Sequence, residues 1–522
     1  MSYPIQPTFE KLYEIIEADR QSYSAQTVPN LYPIYAYFSA EYLSPHLAYL
    51  KLTKLGDSSA HRFPSFLFES TKNGEQVSRF SFMGVNPRKI ITTGPLQGKE
   101  IDPLILLEQE LKNVRQAQLP GIPILSGGAV GYISYDCIKY FEPTTRRPLK
   151  DVLKLPEAAL MLFDQILVFD NAFQRFQAID NVRINPSDTK KDIELKYLAA
   201  EKQLRKVEKV LTDHSLPVPY PPQPPIKQGN NFKSNIGEEG YETFVRELRQ
   251  HILKGDIIQA VPSQRVARPT TVHPFNIYRH LRTVNPSPYM FYIDYLDYQL
   301  VGASPEMLVK SDFDDKIITR PIAGTIMRGK TAEEDDRLAA TLRSSLKDRA
   351  EHVMLVDLAR NDVNRICQPK KTSVDRLLTI ERFSHVMHLV SEVSGTLRPG
   401  KTRFDAFRSI FPAGTVSGAP KVRAMQLIGE LEKEKRGVYA GAVGHWSYDG
   451  KTMDTCIALR TMVVKDGVAY LQAGGGIVYD SDPHDEYIET MNKMMANINT
   501  IVEAENVWSQ RLKDNKYESD TE

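Results

Sequence analysis

Cysteine is scarce in this chain, and the three present, Cys137, Cys367 and Cys456, fall in no CxxC or Cys/His spacing. That argues against a disulfide framework, a zinc site and a redox motif, and it implies a reducing compartment. A surplus of either charge is missing as well, since 66 Lys and Arg stand against 65 Asp and Glu. Without a basic excess there is little to attract phosphate backbones or anionic lipid, so nucleic acid and membrane are poor partners and a small-molecule substrate is favoured. No stretch of about 18 apolar residues, the length that spans a bilayer, occurs. The opening MSYPIQPTFEKLYEIIEADR has no basic region followed by an apolar core, and the chain reads as a cytoplasmic enzyme.

What is present begins with enough chain, 522 residues, for about three domains of ~150 residues. The sharpest break is HSLPVPYPPQPPIKQGNNFKSN (214–235), whose six prolines favour extended backbone and cannot join a helix or central strand. It reads as a linker between an N-terminal region, 1–213, and a C-terminal one, 236–510, with 511–522 a polar tail. Before the linker FPSFLFES, SRFSFMGV and RKIITTG read as strands and PLILLEQELKNVRQ as a helix. ALMLFDQILVFD with FQRFQAID reads as a β-ladder, and KKDIELKYLAAEKQLRKVEKVL as a closing helix. After it YETFVRELRQHILKGD is a helix ending at Gly255, and IIQAVPSQRVAR, YMFYIDY, YQLVGASPEMLVKS, KIITRPIAGT and FSHVMHLVSEVSGTL are strands. Helices are predicted at 332–346, 347–364, 403–410 and 420–434, and Asp-Gly hairpins at 449–450 and 466–467 precede a final helix. Hairpin runs with helices outside them give an α+β class, with large antiparallel β-sheets flanked by helices.

Two acidic pairs stand about 135 residues apart, Asp348/Glu351 in KDRAEHVMLVDLARND and Glu486/Glu489 in SDPHDEYIETMNK, both in helical patterns. Residues three apart share a helix face, so each pair can present two carboxylates together. Such oxygen ligands suit Mg²⁺, which keeps waters or substrate oxygens in its octahedral shell. Two stretches also match a phosphate loop, Gly324 to Thr331 and Gly395 to Thr402. AEEDD after the first puts carboxylates where a triphosphate would sit, and Pro399 removes an amide donor from the second. Both are better read as Gly-Lys-Thr turns that start helices.

The C-terminal half carries further dense blocks: GASPEML (302–308), RPIAGTIMRGK (320–330), FSHVMHLVSEVSGTL (383–397), FPAGTVSGAPKVRAM (411–425), DTCIALRT (454–461) and QAGGGIVYDSD (472–482). With the acidic pairs, and in this order over roughly residues 240–500, they resemble the chorismate-utilising enzymes. The resemblance implies that family's fold, with 1–213 a regulatory region contributing to a tryptophan site and 236–510 the chorismate-binding catalytic domain. It implies a Mg²⁺-dependent lyase acting on chorismate, a dianion whose C4 hydroxyl must leave as water. Glu306, His388 and Thr415 are the implied catalytic residues: Glu306 protonates the departing hydroxyl, Thr415 hydrogen-bonds the substrate, and His388 assists loss of pyruvate as a base. Asp348, Glu351, Glu486 and Glu489 would line the metal, with Asp348 standing where the family usually has Glu. Arg460, as a bidentate fork, and Lys493 would hold substrate carboxylate. Tyr439, Gly474, Gly475, Gly476, Gln259, Ala323, Gly324 and Thr325 complete the implied substrate contacts.

Two positions narrow the reaction. Relatives that activate water at C2 carry Lys where Gln259 stands, and those that attack C2 with an enzyme amine carry Lys where Ala323 stands. With both lysines missing, ammonia becomes the implied nucleophile, and elimination of pyruvate then aromatises the ring to anthranilate, opening tryptophan biosynthesis. Ammonia is mostly protonated at neutral pH, and no cysteine here sits in a Gly-x-Cys elbow, so a partner glutamine amidotransferase subunit is implied. FLFES and NPSPYM resemble the family's tryptophan pocket, formed by Glu69, Ser70, Asn285, Pro288, Tyr289 and Met290, which implies feedback inhibition by L-tryptophan.

Overall fold

Side chains of a strand alternate between the two faces of its sheet, and along Tyr289–Asp294 the alternation is plain: Met290 and Tyr292 enter one core, Phe291 and Ile293 another. Gly128–Ile133 divides in the same way, Ala129 and Ile133 against Val130 and Tyr132. Strands buried on both faces belong to inner layers, and the computed structural model stacks them as helix, sheet, sheet, helix. It describes residues 3–24, 26–40, 43–57, 59–70, 79–213, 215, 218–383 and 386–519.

The first sheet has eleven antiparallel strands in the order Leu31–Ser39, Arg175–Arg183, Gln165–Asp170, Phe80–Val85, Ser65–Glu69, Tyr289–Asp294, Tyr298–Ser304, Thr461–Lys465, Val468–Gly474, Ser263–Pro269, Lys233–Ser234. The second has ten: Ile322–Met327, Val386–Leu397, Lys316–Thr319, Met307–Ser311, Met453–Ile457, Ala442–Ser447, Gly128–Ile133, Ala158–Phe163 and Lys89–Thr93, with Cys367–Arg382 also on Val386–Leu397. Phe66, Phe291 and Leu300 of the first sheet meet Tyr132, Met161 and Val443 of the second in the core between them. Helices Phe9–Ser22, Pro45–Thr53, Lys190–Thr212, Pro274–Val284 and Pro483–Ser519 cover the outer face of the first sheet, while Pro103–Leu111, Leu346–Asn364 and Arg403–Ile410 cover that of the second. The fold is therefore the α+β arrangement of large antiparallel sheets flanked by helices that the sequence predicts.

Several boundaries differ from the sequence reading. Each sheet draws strands from both sides of the proline-rich stretch. YQLVGASPEMLVKS is two strands in different sheets, divided at Pro305, which cannot donate to a ladder. KIITRPIAGT divides at Pro321 and IIQAVPSQRVAR at Pro262 for the same reason. The ladder predicted from ALMLFDQILVFD also splits, with Ala158–Phe163 in one sheet and Gln165–Asp170 in the other. The last helix runs through Ser519, because Pro483 is followed by no further proline or glycine and Trp508 packs on the first-sheet core. Residues 511–519 are thus helical rather than a frayed tail, and 520–522 lie outside the described residues, as do 214, 216 and 217 of the predicted linker.

Two neighbouring segments pass from the first sheet to the second together. Gly302 pairs with Thr461 in the first sheet and Met307 with Cys456 in the second. The residues between, 303–306 and 457–460, bridge the gap side by side, which puts Glu306 and Arg460 at one seam.

Candidate active site

The seam surrounds Glu306 with protein. Its N–H donates to Ser304 Oγ (3.3 Å), its carbonyl accepts Ile457 N–H (3.0 Å), and its Oε1 accepts the Thr415 hydroxyl (3.1 Å). At 5 % exposure the carboxyl is pushed up to about 8 by burial, against the Thr415 and Ile322 hydrogen bonds and the attraction of Arg460. A group with that affinity for its proton is a carboxylic acid at neutral pH. Arg460 is held at a φ of 47°, a left-handed conformation unusual for a long side chain. Its guanidinium has no hydrogen-bond partner among the described residues, and burial lowers its pKa while Glu306 opposes the change. An acid able to donate thus stands beside a cation free to bind an anion.

His388 faces the same region from Val386–Leu397. Thr325 pairs with it across the ladder, and a register shift at Gly324, whose φ is +68°, turns the Gly324 carbonyl onto His388 Nδ1 at 3.1 Å. A carbonyl only accepts, so Nδ1 carries the proton and Nε2 keeps its lone pair. Thr325 Oγ1 lies 3.0 Å from the same nitrogen, and Phe383 packs edge-on at 5.2 Å. Burial lowers the imidazole to about 4, with Arg460 adding to the effect and the Gly324 bond opposing it. His388 is therefore neutral at pH 7.

Gly474, Gly475 and Gly476 form a wall that no side chain could replace. A Cβ on Gly474 would lie 2.3 Å from Pro262 O, on Gly475 2.7 Å from Glu486 Oε2, and on Gly476 2.4 Å from Gln259 Nε2. The demand is close approach, since none of the three has a left-handed φ. On the far side, Glu351 Oε1 accepts Gln259 Nε2 at 3.1 Å and Glu486 Oε1 accepts the Ser481 hydroxyl at 2.7 Å. Both acidic pairs thus reach the glycine wall, Glu351 beside Gly476 and Glu486 beside Gly475. Asp348 Oδ1 lies against Gly324, 3.1 Å from where a Cβ would stand, whereas Glu489 is half-exposed and pairs with Lys493 at 2.6 Å. Lys493 Nζ also donates to Gly474 O at 3.0 Å.

The carboxylates suit a hard cation. Glu486 Oε2 is buried without a hydrogen-bond partner among the described residues, and burial, with Glu489 adding to it, raises that carboxyl above its usual range. A cation would relieve both. No three of Asp348, Glu351, Glu486 and Glu489 bring oxygens within 4.8 Å of one another, and among the described residues the group that does is Glu238, Glu242 and His484. A Mg²⁺ ion that keeps waters in its shell spans wider separations.

Sequence reasoning passed over the residues that hold this wall. The Tyr241 hydroxyl accepts Gly475 N–H at 3.0 Å and donates to Pro262 O at 3.3 Å. Arg436, 2 % exposed, binds the Val416 carbonyl (2.9 Å), the Val261 carbonyl (2.6 Å) and both Glu432 oxygens, and lies over the Tyr439 ring. It ties together the segments that carry Thr415, Gln259 and Tyr439. Tyr241 looks in sequence like any core position of an amphipathic helix, and Arg436 like a surface charge.

Acidic side chains of this chain occupy amides in both phosphate-loop matches. Asp335 Oδ1 accepts Gly329 N–H and Glu334 Oε2 accepts Lys330 N–H. In the second match Thr402 and Asp405 form a capping box on Arg403–Ile410.

A cavity of about 350 Å³ lies against the 305–307 turn. Glu69, Ser70, Pro288, Tyr289 and Met290 line it with Pro305 and Met307. Glu69 is held by Arg282 (2.6 Å) and the Tyr278 hydroxyl (2.6 Å), and Tyr289 donates to Asp454 (3.1 Å). Asn285 is not part of the lining, and its N–H caps helix Pro274–Val284 on Leu281 O.

Comparison with known proteins shows the family. The profile of the chorismate binding enzyme family matches residues 63–499. The chain is 65 % identical over 509 residues to "Anthranilate synthase component 1" of Saccharomyces cerevisiae, covering 97 % of this chain and 98 % of that one. It is 55 % identical over 506 residues to "Probable anthranilate synthase component 1" of Schizosaccharomyces pombe, with the same coverage, 97 % and 98 %. The crystal structure of anthranilate synthase component I from Streptococcus pneumoniae superposes with a TM-score of 0.71 at 38 % identity, over 88 % of this chain and 98 % of that chain. A menaquinone-specific isochorismate synthase from Escherichia coli, at 18 % identity and a TM-score of 0.67 over 95 % and 98 % of the two chains, shares the fold. The chain belongs to the chorismate binding enzyme family, among the proteins of anthranilate synthase component 1.

Proposed function

We propose that the protein converts chorismate and ammonia to anthranilate and pyruvate, and that Asp348, Glu351, Glu486 and Glu489 would hold the Mg²⁺ it uses. The observation that carries the reading is Glu306: a buried acid held protonated at neutral pH, beside an unpaired arginine and across from a neutral histidine. Arg460 binds the pyruvyl carboxylate. Glu306, positioned by Thr415, protonates the C4 hydroxyl as ammonia adds at C2, and that hydroxyl departs as water. His388 Nε2 then takes the C2 proton, the C3–O bond breaks with its electron pair on the departing enol-pyruvate oxygen, and that enolate takes a proton from solvent to give pyruvate as the ring becomes aromatic. Bound Mg²⁺ supplies charge neutralisation at the ring carboxylate. Tyr439, Lys493, the Gly474–Gly476 amides and the Ala323–Thr325 segment complete the substrate pocket, and Ala323 and Gln259 offer no amine of their own as nucleophile.

Ammonia comes in this reading from a separate glutamine amidotransferase subunit. The three cysteines are buried, and burial raises Cys367 to about 11, Cys456 to about 12 and Cys137 well above its ordinary value, so none is a thiolate suited to hydrolyse glutamine. The relatives' designation as component 1 supports a second component. L-Tryptophan is the proposed ligand of the 350 Å³ cavity, with Ser70 and Glu69 near its amine and Pro288, Tyr289 and Met290 around the indole. Pro305 and Met307 line that cavity and flank Glu306, a route by which occupancy there can favour a less active arrangement. No described helix is long and apolar enough to cross a membrane, and the proposed compartment is the cytoplasm.

The test is one cuvette holding the purified chain, chorismate, Mg²⁺ and ammonium at high pH. Anthranilate fluorescence that grows with time and stops on addition of EDTA supports the reading. Its absence refutes it.

A further inference from the structure

We propose that the buried ion pair Asp362–Lys421 restores the proton of Glu306 after each turnover, through one water held in a small cavity and through the Thr415 hydroxyl. The inference rests on the reading above, that Glu306 is the acid of the reaction, and assigns the residues that recharge it. Asp362 and Lys421 act through Glu306 and touch no reactant.

Glu306 is 5 % exposed, and a reactant seated against it covers what remains. Once it has given up its proton, bulk solvent is a poor direct source of another. A cavity of about 20 Å³ offers a second route, with Glu306 and Thr415 in its lining beside Thr319 and Asp362, the last from helix Leu346–Asn364. One water needs about 10–15 Å³ and two to four polar partners, so the space takes a single water among these four side chains. The Thr415 hydroxyl already meets Glu306 Oε1 at 3.1 Å. The Thr319 hydroxyl donates to the Leu308 carbonyl at 2.8 Å, which leaves it an acceptor for that water.

Asp362, also 5 % exposed, is the second ionisable group of this lining. Lys421 donates to its Oδ2 at 2.5 Å and to the Ile410 carbonyl at 3.1 Å. Burial raises the Asp362 carboxyl above its ordinary range, with Lys421 and Arg365 opposing the change and Glu142 adding to it. A carboxyl so placed binds a passing proton more readily than an exposed one. Lys421 keeps 12 % of its side chain in solvent, so the pair reaches from the medium to the cavity. Stability alone is a weak reason for the pair, since apolar side chains of similar volume serve a buried position equally well.

The protons balance. Glu306 gives its proton to the C4 oxygen, which leaves with the bonding pair as water, and a carboxylate remains. Lys421 then passes a proton to Asp362, Asp362 to the water, the water to Thr415 and Thr415 to Glu306, each broken N–H or O–H bond being replaced by one formed. Lys421 takes its proton back from solvent, to which the ammonium group formed on C2 releases one. Every member of the chain ends as it began, and chorismate and ammonia have given the aminated ring acid and water.

The test uses Asp362→Asn, which keeps an acceptor for Lys421, and the double variant Asp362→Asn with Lys421→Gln, which removes both charges together. Stopped-flow fluorescence with enzyme in excess over chorismate reads the first turnover, which starts from protonated Glu306, and chorismate in excess reads the later ones. The expected first turnover stays within about twofold of wild type, while later turnovers are at least about tenfold slower. The solvent isotope effect of D₂O on kcat is expected to be larger in both variants than in wild type, which slow product release would not produce. Equal slowing of first and later turnovers, or steady-state rates and isotope effects like those of wild type, overturns the inference. Loss of the cooperative melting transition in both variants overturns it too, by making the pair structural. If the wild-type chain yields no fluorescent product, the functional reading fails instead, and that control tells the two failures apart.

Discussion

Glu306→Gln separates the chemistry of the buried acid from its shape. Glutamine keeps the size of the side chain and an oxygen for the Thr415 hydroxyl, but it neither ionises nor gives a proton. The native state raises the Glu306 carboxyl from 4.5 to about 8, so between those values the folded chain holds a proton that the unfolded chain has released. Stability then falls as pH rises through that window. At 1.36 kcal/mol for each pH unit, the wild-type chain loses about 3 kcal/mol by pH 7 and about 5 kcal/mol by pH 8, relative to pH 4. The Gln variant escapes this loss. Urea unfolding midpoints of the two proteins at pH 5, 6, 7, 8 and 9 therefore diverge in favour of the variant up to pH 8 and run parallel above it, while the variant's kcat is about 10²- to 10⁴-fold lower. In the wild-type enzyme kcat/KM, expressed per free ammonia, falls above pH 8 as the acid is lost. A stability difference that does not change with pH would mean that the carboxyl ionises normally and has no proton to give at neutral pH.

Other perturbations isolate other parts of the site. Gly476→Ala sets a methyl group 2.4 Å from Gln259 Nε2, and the expected result is at least a tenfold loss of kcat/KM with an unchanged circular dichroism spectrum. His388→Asn removes the neutral base: consumption of chorismate continues, while pyruvate, followed with lactate dehydrogenase, appears about 10²-fold or more slowly. Retention of the wild-type pyruvate rate would remove His388 from the elimination step. Ser70→Trp adds bulk to the lining of the 350 Å³ cavity, and it should abolish the rise in melting temperature caused by L-tryptophan while leaving chorismate turnover within about threefold. A variant that still binds tryptophan by calorimetry contradicts the assignment of that cavity.

The sequence shows the secondary structure best where one periodicity governs a segment. Helices Ala332–Ser344, Leu346–Asn364 and Arg403–Ile410 lie within two residues of their predicted limits, because Thr331, Ser345 and Thr402 cap them in place. Strands are legible as apolar runs, but their sheet membership is not. Tyr298–Ser304 and Met307–Ser311 read as one strand, and only the long-range pairing of 461–465 and 453–457 reveals the crossing between them. The paired crossing is also what buries Glu306. The sequence supplies the residue, but the high proton affinity follows from tertiary enclosure. Of the implied site, Glu306 with Thr415, His388 with Thr325, and Gln259 with Glu351 are in direct contact. The glycine run was legible as a place of close approach, and two of the atoms that approach it, Pro262 O and Gln259 Nε2, come from a segment more than 200 residues away. Tyr241 and Arg436 carry no local signal, since their roles exist only through partners distant in sequence.

The central claim is that carboxylates from two distant helices hold a cation that holds the substrate, and calorimetric titration of chorismate into the chain tests it most directly. With Mg²⁺ present the account predicts saturable binding that EDTA abolishes, and that Glu351→Gln and Glu486→Gln each weaken by at least tenfold. Chorismate binding of equal strength with and without the metal, or in both variants, contradicts it.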